Sequence, residues 1–192
     1  MAFGLQQFSD RSSLSAPKKK RDSRQTPEIQ RREGVNNLTA FQGNIAALQL
    51  HPSLRQALGE HLLSSYPHEA CGLLLGAAAA GGMRINGYTP MRNVAPDPLH
   101  TFVPHPEDWV QAAFSDPAPV GFFHTHPNSP PVPSLRDLDG LSSLGPNYRV
   151  YLIGAPDPGS GIRLQAYEIQ RSTGPQGIAD GLIPIPHQFL LK

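Results

Sequence analysis

Apolar residues recur every four positions in residues 51–67, HPSLRQALGEHLLSSYP. Leu54, Leu58 and Leu62 would therefore lie on one face of a helix. One proline falls where the first helical turn would begin, and another ends the pattern. The pattern predicts an amphipathic helix whose apolar stripe faces a sheet.

Short apolar runs alternate with polar, helix-like segments along the rest of the chain. The runs typical of buried strands are CGLLLG, PVGFFHTH, YRVYLIGA and IRLQAYEIQ. MRINGYTPMRN, which follows Gly81 and Gly82, is typical of the second arm of a hairpin. Two further helices are predicted at HPEDWVQAAFS and SLRDLDGLSSL. Strands that interleave with helices predict an α/β sandwich.

The two ends of the chain differ from this middle part. Residues 1–40 are polar, and the first 35 carry eight Lys or Arg against four Asp or Glu, although the whole chain of 192 residues has a net charge of only +1. We expect a disordered basic tail here, because such a segment buries too little apolar surface to offset its chain entropy. We place one domain at 44–170. In residues 171–192 three prolines favour a tail or an edge wrapping.

Charge and composition limit the setting and the partners. The basic run at 18–21 is compatible with contact to nucleic acid, although a solvated tail is the favoured interpretation. Cys71 is the single cysteine, so no internal disulfide forms, and the first residues do not resemble a secretory signal. No window approaches eighteen consecutive apolar residues. We therefore expect a cytoplasmic protein without a membrane span; the pattern leaves its oligomeric state open.

Two histidines stand one residue apart at the end of an apolar run. Side chains alternate along a strand, so His124 and His126 point to one face and Thr125 points to the other. Two imidazoles on one face can bind one metal ion, and Zn²⁺ suits imidazole and carboxylate ligands. A catalytic zinc commonly has three protein ligands, so a third ligand is required.

Asp137 is the candidate for the third ligand. Four prolines stiffen the loop after His126, and the chain can restart as a helix at Ser134, a good N-cap. Taken alone, Ser134 and Asp137 are more typical of helix capping than of metal binding. The preceding pair of histidines makes the same aspartate a plausible zinc ligand.

Hydrolysis at such a metal would also need a base, and Glu69 is the candidate. It directly precedes an apolar strand, although in isolation it is more typical of an exposed loop acid. His68 and Glu69 do not form the H-E-x-x-H motif, because position 72 is Gly. A zinc deaminase is disfavoured because its P-C-x-x-C element needs two cysteines.

Together these residues resemble the signature of the JAMM metalloproteases, also called MPN+ or JAB proteins. That signature is a glutamate followed at variable distance by H-[ST]-H-x7-S-x2-D, and every position matches, from Glu69 through His124 to Ser134 and Asp137. The surroundings HEACGLLLG, together with Asn93 and HTFVPHPEDW, are also similar. The resemblance covers roughly residues 44–170. The absence of lysine between positions 21 and 191 is typical of a GC-rich genome and favours a prokaryotic member.

The resemblance implies a cytidine-deaminase-like α/β sandwich with a central mixed sheet. It implies zinc held by His124, His126 and Asp137, with Glu69 as acid and base and the Ser134 hydroxyl stabilising the oxyanion. The implied activity is hydrolysis of peptide or isopeptide bonds at the C-terminus of ubiquitin-like proteins or sulfur-carrier proteins of the ubiquitin fold. A catalytically silent scaffold of the same fold is the alternative, and a nucleic-acid-associated protein that uses its basic tail is a third.

Overall fold

The structure is a computed structural model that describes residues 44–172 and 177–191. The basic tail predicted for residues 1–40 lies outside the described residues. The helices are α1 (Ser53–Ser65), α2 (Pro106–Ala113) and α3 (Leu135–Gly140), the last continued by a 3₁₀ turn at Leu141–Ser143. The strands are β1 (Ala47–Leu50), β2 (Cys71–Ala79), β3 (Gly82–Met91), β4 (Pro119–Thr125), β5 (Val150–Asp157), β6 (Gly161–Arg171), β7 (Ala179–Ile185) and β8 (His187–Phe189).

The described strands form one mixed sheet in the order β7-β6-β5-β4-β2-β3-β1-β8. β4 pairs in parallel with β5, and β1 pairs in parallel with both β3 and β8, while the other pairs are antiparallel. β2 and β3 form the predicted hairpin, which turns at Gly81 and Gly82. Both glycines have positive φ, a conformation that residues with a Cβ rarely adopt.

Helices cover both faces of the sheet. The apolar stripe of α1 (Leu54, Leu58 and Leu62) is buried in a core that includes Phe123 of β4. On the opposite face, Phe122 belongs to a second core together with residues of α2 and the turn after α3. Neighbouring residues of β4 thus enter different cores, as the period of two requires. The predicted α/β sandwich with a central mixed sheet is confirmed.

The C-terminal segment joins the two ends of the sheet. β7 pairs with β6 at one end of the strand order and β8 pairs with β1 at the other, with only Pro186 between them. The carbonyl of Pro186 accepts a hydrogen bond from the amide of Leu48 at 2.8 Å. The sheet is therefore rolled up around α1, and it continues past residue 170 to Phe189, where the prolines had favoured a tail or an edge wrapping.

Within the described ranges, no helix has both the length and the apolar character needed to cross a bilayer.

Candidate metal centre

The end of β4 presents both histidines to the face that carries α2 and α3. His124 is the last residue of β4 on that face, and His126 is the first residue after the strand. The amide of His126 donates to the carbonyl of Gly154 in β5 at 2.8 Å, which keeps the chain extended as far as the second histidine. The two imidazoles therefore lie side by side, with ring centroids 4.8 Å apart.

A short loop and a helix start bring Asp137 to these histidines. Ser134 caps α3, since its hydroxyl oxygen accepts from the amide of Asp137 at 3.2 Å and the Asp137 carboxylate accepts from the amide of Ser134 at 2.6 Å. The Tyr167 hydroxyl donates to the carbonyl of Pro131 at 3.0 Å and holds the loop against β6. Asp137 is buried against the two histidines. The same residue therefore both caps α3 and contributes to the cluster.

The side chains of His124, His126 and Asp137 converge at one point. The two Nε2 atoms are 2.9 Å apart, and the carboxylate oxygens of Asp137 lie 3.1 Å from Nε2 of His124 and 3.4 Å from Nε2 of His126. Three donors that each lie about 2 Å from one tetrahedral zinc ion would be about 3.3 Å from each other. The observed separations are close to that spacing. The donor set, two imidazoles and a carboxylate, therefore fits Zn²⁺ in size and in chemistry.

The surroundings orient the two rings differently. Nδ1 of His126 lies 2.9 Å from the carbonyl of Pro130, to which it can donate, so that Nε2 presents its lone pair to the cluster. The ring of His124 instead lies against Phe102 and Tyr151, with centroids 4.7 Å and 5.3 Å away. Its buried Nδ1 has no hydrogen-bond partner among the described residues. Aromatic packing therefore orients the ring of His124.

Glu69 lies two residues before the start of β2 and is buried, with 7% of its surface exposed. Its backbone is fixed on both sides, because its amide donates to the carbonyl of Pro98 at 2.8 Å and its carbonyl accepts from Nδ2 of Asn93 at 2.9 Å. The next residue, Ala70, is tied to the end of β4: its amide donates to the Thr125 hydroxyl at 2.8 Å, and its carbonyl accepts from the Thr125 amide at 3.0 Å. The structure thus places Glu69 beside the end of β4, the strand that leads into the two histidines. Glu69 is buried, whereas its sequence surroundings alone are typical of an exposed loop acid.

Comparison with known proteins identifies the family. Residues 51–169, which contain Glu69 and the whole His–His–Asp cluster, match the family of prokaryotic homologues of the JAB domain. The chain belongs to this family. The predicted membership of the JAMM/MPN+ group, in a prokaryotic branch, is confirmed.

Two curated relatives match parts of this JAB-domain homologue. The chain is 40% identical over 96 residues to a protein of Haloferax volcanii named desampylase, a match that covers 47% of this chain and 65% of that protein. It is 33% identical over 81 residues to tail tip assembly protein K of Escherichia phage N15, which covers 42% of this chain and 31% of that protein. The chain thus spans less than two thirds of the length of either relative.

A solved structure shows the same fold. A protein of Desulfitobacterium hafniense, whose structure was determined in solution, superposes with a TM-score of 0.60 at 22% sequence identity. The superposition covers 76% of this chain and 94% of that protein. The shared fold thus extends over almost the whole of that protein.

Electrostatics at the cluster follow from burial and from close pairing. Burial would raise the pKa of Asp137, but hydrogen bonds with His124 and His126 outweigh it and hold that pKa well below its usual range. Burial lowers the pKa of His124. For His126, burial also acts to lower the pKa, but the hydrogen bonds with Asp137 and with the Pro130 carbonyl outweigh it and raise the pKa. The carboxylate of Asp137 is therefore ionised at neutral pH and available to a cation.

The pKa of Glu69 shifts in the opposite direction to that of Asp137. Burial, as the largest cause, raises it to about 7; the charge of His126 acts to lower it, and the charge of Asp137 acts to raise it. A carboxyl group with a pKa near 7 can both take up and release a proton at neutral pH. The site therefore holds one carboxylate that is ionised at neutral pH, Asp137, and one carboxyl group that titrates near neutral pH, Glu69.

Two residues that organise the site received no role from the sequence pattern. Thr125, the middle residue of the H-T-H run, binds the chain directly after Glu69 through its hydroxyl. Asn93 binds the carbonyl of Glu69 itself. A signal for Thr125 was present, because a hydroxyl residue on the opposite face of the strand from two ligands has to bond elsewhere.

Proposed function

We propose that this protein is a zinc-dependent hydrolase that cleaves peptide or isopeptide bonds at the C-terminus of ubiquitin-like or sulfur-carrier ubiquitin-fold proteins. The observation that carries the proposal is the convergence of His124, His126 and Asp137 next to the buried Glu69. Membership of the JAB-domain family and the similarity to desampylase support the activity and the class of substrate.

His124, His126 and Asp137 would hold the zinc ion. When bound, zinc supplies a Lewis acid that polarises a carbonyl group and makes a water molecule easier to deprotonate. The chain's own contribution is a fixed set of donors. The carbonyl of Pro130 orients His126, and the amide of Ser134 orients the carboxylate of Asp137.

Glu69 is the proposed proton carrier. Its carboxylate takes a proton from the attacking water and returns it to the amine nitrogen as the carbon–nitrogen bond breaks, so that acid and amine products leave in balance. A pKa of about 7 suits both steps. Burial of the side chain keeps bulk water from competing as proton donor and acceptor.

Ser134 is the proposed donor to the oxyanion. Its hydroxyl oxygen already accepts from the amide of Asp137, which fixes the position of that oxygen and leaves the hydroxyl hydrogen to be donated. The side chain is at the protein surface beside the buried cluster, where a substrate carbonyl has access. A preorganised donor at this place would stabilise the charge that develops on the carbonyl oxygen.

The test uses the zinc-loaded protein and ubiquitin-fold proteins from the same genome, each carrying a short C-terminal extension. We expect cleavage after the terminal glycine, detected by mass spectrometry, with one zinc ion per chain. Glu69→Gln should lower turnover by about 10²- to 10⁴-fold while zinc content stays the same.

Glu60→Gln on the exposed side of α1 is the matched control and should leave turnover unchanged. A protein that binds no zinc, or a Glu69→Gln variant with full turnover, would contradict the proposal. Zinc binding without cleavage of any ubiquitin-fold fusion would instead favour the silent scaffold.

A further inference from the structure

The side chain of Asn93 uses its full hydrogen-bonding capacity next to the proposed proton carrier. Its Nδ2 donates to the carbonyls of Glu69 at 2.9 Å and Thr101 at 3.0 Å. Its Oδ1 accepts from the amides of Ala95 and Val103, both at 3.0 Å. One amide group therefore connects the main chain of Glu69 with both arms of the loop 94–104, which we call the strap.

The strap contacts each part of the candidate site. The carbonyl of Pro98 accepts from the amide of Glu69, and the ring of Phe102 packs against His124. Its outer end reaches α3, where Nη1 of Arg136 donates to the carbonyl of His100 at 3.3 Å. The strap thus joins Glu69, the first histidine and the helix that carries Asp137.

The two arms of the strap are held together at its base. The amide of Val94 donates to the carbonyl of Val103 at 2.8 Å, and the amide of His105 donates to the carbonyl of Arg92 at 2.9 Å. Inside this base, the side chain of Asn93 bonds to both arms, and the same group reaches Glu69. A shift of Asn93 would therefore displace the strap and the Glu69 backbone together.

We propose that Asn93 is a positioning residue that holds Glu69 beside the His–His–Asp cluster, directly through the Glu69 carbonyl and indirectly through the strap. The inference rests on the proposed role of Glu69 as proton carrier. The primary amide is required, because it supplies two donors and an oxygen that accepts twice at one point. An aspartate of the same shape would keep the contacts to Ala95 and Val103 but lose both donors, including the one to Glu69. The hydrogen bonds donated to the carbonyls of Glu69 and Thr101 would then be replaced by the repulsion between a carboxylate oxygen and these two carbonyl oxygens.

Asn93→Asp is accordingly the informative variant in turnover assays. We expect kcat to fall about 10- to 100-fold, the usual effect of removing a group that orients a site residue, with KM and zinc content unchanged. Asn147→Asp, an exposed asparagine before β5, is the matched control and should behave as the unmodified protein. The inference is overturned if Asn93→Asp retains kcat within twofold, or if activity falls only in proportion to lost zinc or lost folded protein.

Amide hydrogen exchange tests the same link without a substrate. In Asn93→Asp the amide of Glu69, which donates to the strap, should exchange at least tenfold faster, while the amide of Ala70, which donates to Thr125, should keep its protection. Equal loss of protection at both amides would show a general structural role and would overturn the inference. If the unmodified protein cleaves nothing, the proposed function fails, whereas this measurement still decides whether Asn93 holds Glu69.

Discussion

At the scale of single residues, Glu69 is held where its charge is unfavourable. Its carboxyl group is buried within reach of the charge of Asp137, and its pKa is about 7 instead of the ordinary 4.5. A group whose folded pKa lies above its unfolded value contributes stability that is lost as pH rises through the folded pKa. The burial that raises the pKa of Glu69 therefore destabilises the metal-free fold at alkaline pH.

We predict that Glu69→Gln removes this pH dependence from the zinc-free protein. Well below pH 4.5 the carboxyl is protonated in both the folded and the unfolded chain, whereas above pH 7 folding must bury a charge. The variant should gain on the order of 1–2 kcal/mol in unfolding free energy relative to the unmodified protein between pH 5 and pH 8. Urea unfolding with chelator at both pH values measures the gain. Glu60→Gln should show none, and an equal difference at both pH values for Glu69→Gln would contradict the prediction.

The sequence predicted the residues of the cluster better than the residues that hold them. The pattern of His124, His126 and Asp137 is visible because metal ligands need particular side chains at fixed spacing. Asn93 and Thr125 act through hydrogen bonds to backbone groups, and almost any residue supplies such a partner. Their contacts therefore depend on how β3, β4 and the strap come together, which no local pattern encodes.

At the scale of elements, the sequence pattern did not predict three of the strands, β1, β7 and β8. β1 has only four residues, ALQL, and is too short to establish a period, although Leu48 and Leu50 are both buried. β7 contains Pro184, and a proline argues against a strand because it has no amide to donate. The structure accommodates Pro184 opposite Tyr167, since β7 pairs with β6 alone and leaves its other side unpaired. Long-range pairing thus decided these three assignments.

We predict that deletion of residues 178–192 unmasks two sheet edges at once. β6 would lose β7 and β1 would lose β8, which leaves unpaired backbone groups at both ends of the sheet. The shortened protein should associate into soluble oligomers or aggregates, measured by light scattering, and should lose cooperative unfolding. Deletion of residues 191–192 alone, beyond β8, is the control and should leave both properties intact. A monomeric, cooperatively unfolding 1–177 fragment would show that the edges are protected in another way.

At the scale of the whole molecule, the His–His–Asp cluster brings together side chains from two separate segments of the chain. His124 and His126 belong to the strand end, while Asp137 belongs to a helix that follows a proline-rich loop. A ligand that binds only the folded chain stabilises that chain by mass action, by about 2.7 kcal/mol at a hundredfold excess over its Kd. The zinc ion would therefore stabilise the complete fold.

We predict that chelation of zinc lowers the midpoint of thermal unfolding by several degrees, and that adding zinc back restores it. Asp137→Asn should abolish this zinc-dependent shift, because it removes the charged ligand. Asp139→Asn, which changes an exposed carboxylate on the same helix, is the control and should retain the shift. Scanning calorimetry with and without chelator makes the comparison. A shift that persists in Asp137→Asn would place the zinc elsewhere.

The single segment that carries β7 and β8 also has a consequence for synthesis on the ribosome. Leu48 is among the first described residues to emerge, yet its strand partner His187 is among the last. Until Phe189 has emerged, a nascent chain that has already formed β1 and β6 exposes the edges of both strands to other polypeptides. Contacts between such distant parts of a chain also form slowly. Chaperones that shield these edges during translation should therefore matter more for this protein than for a domain whose sheet closes through neighbouring segments.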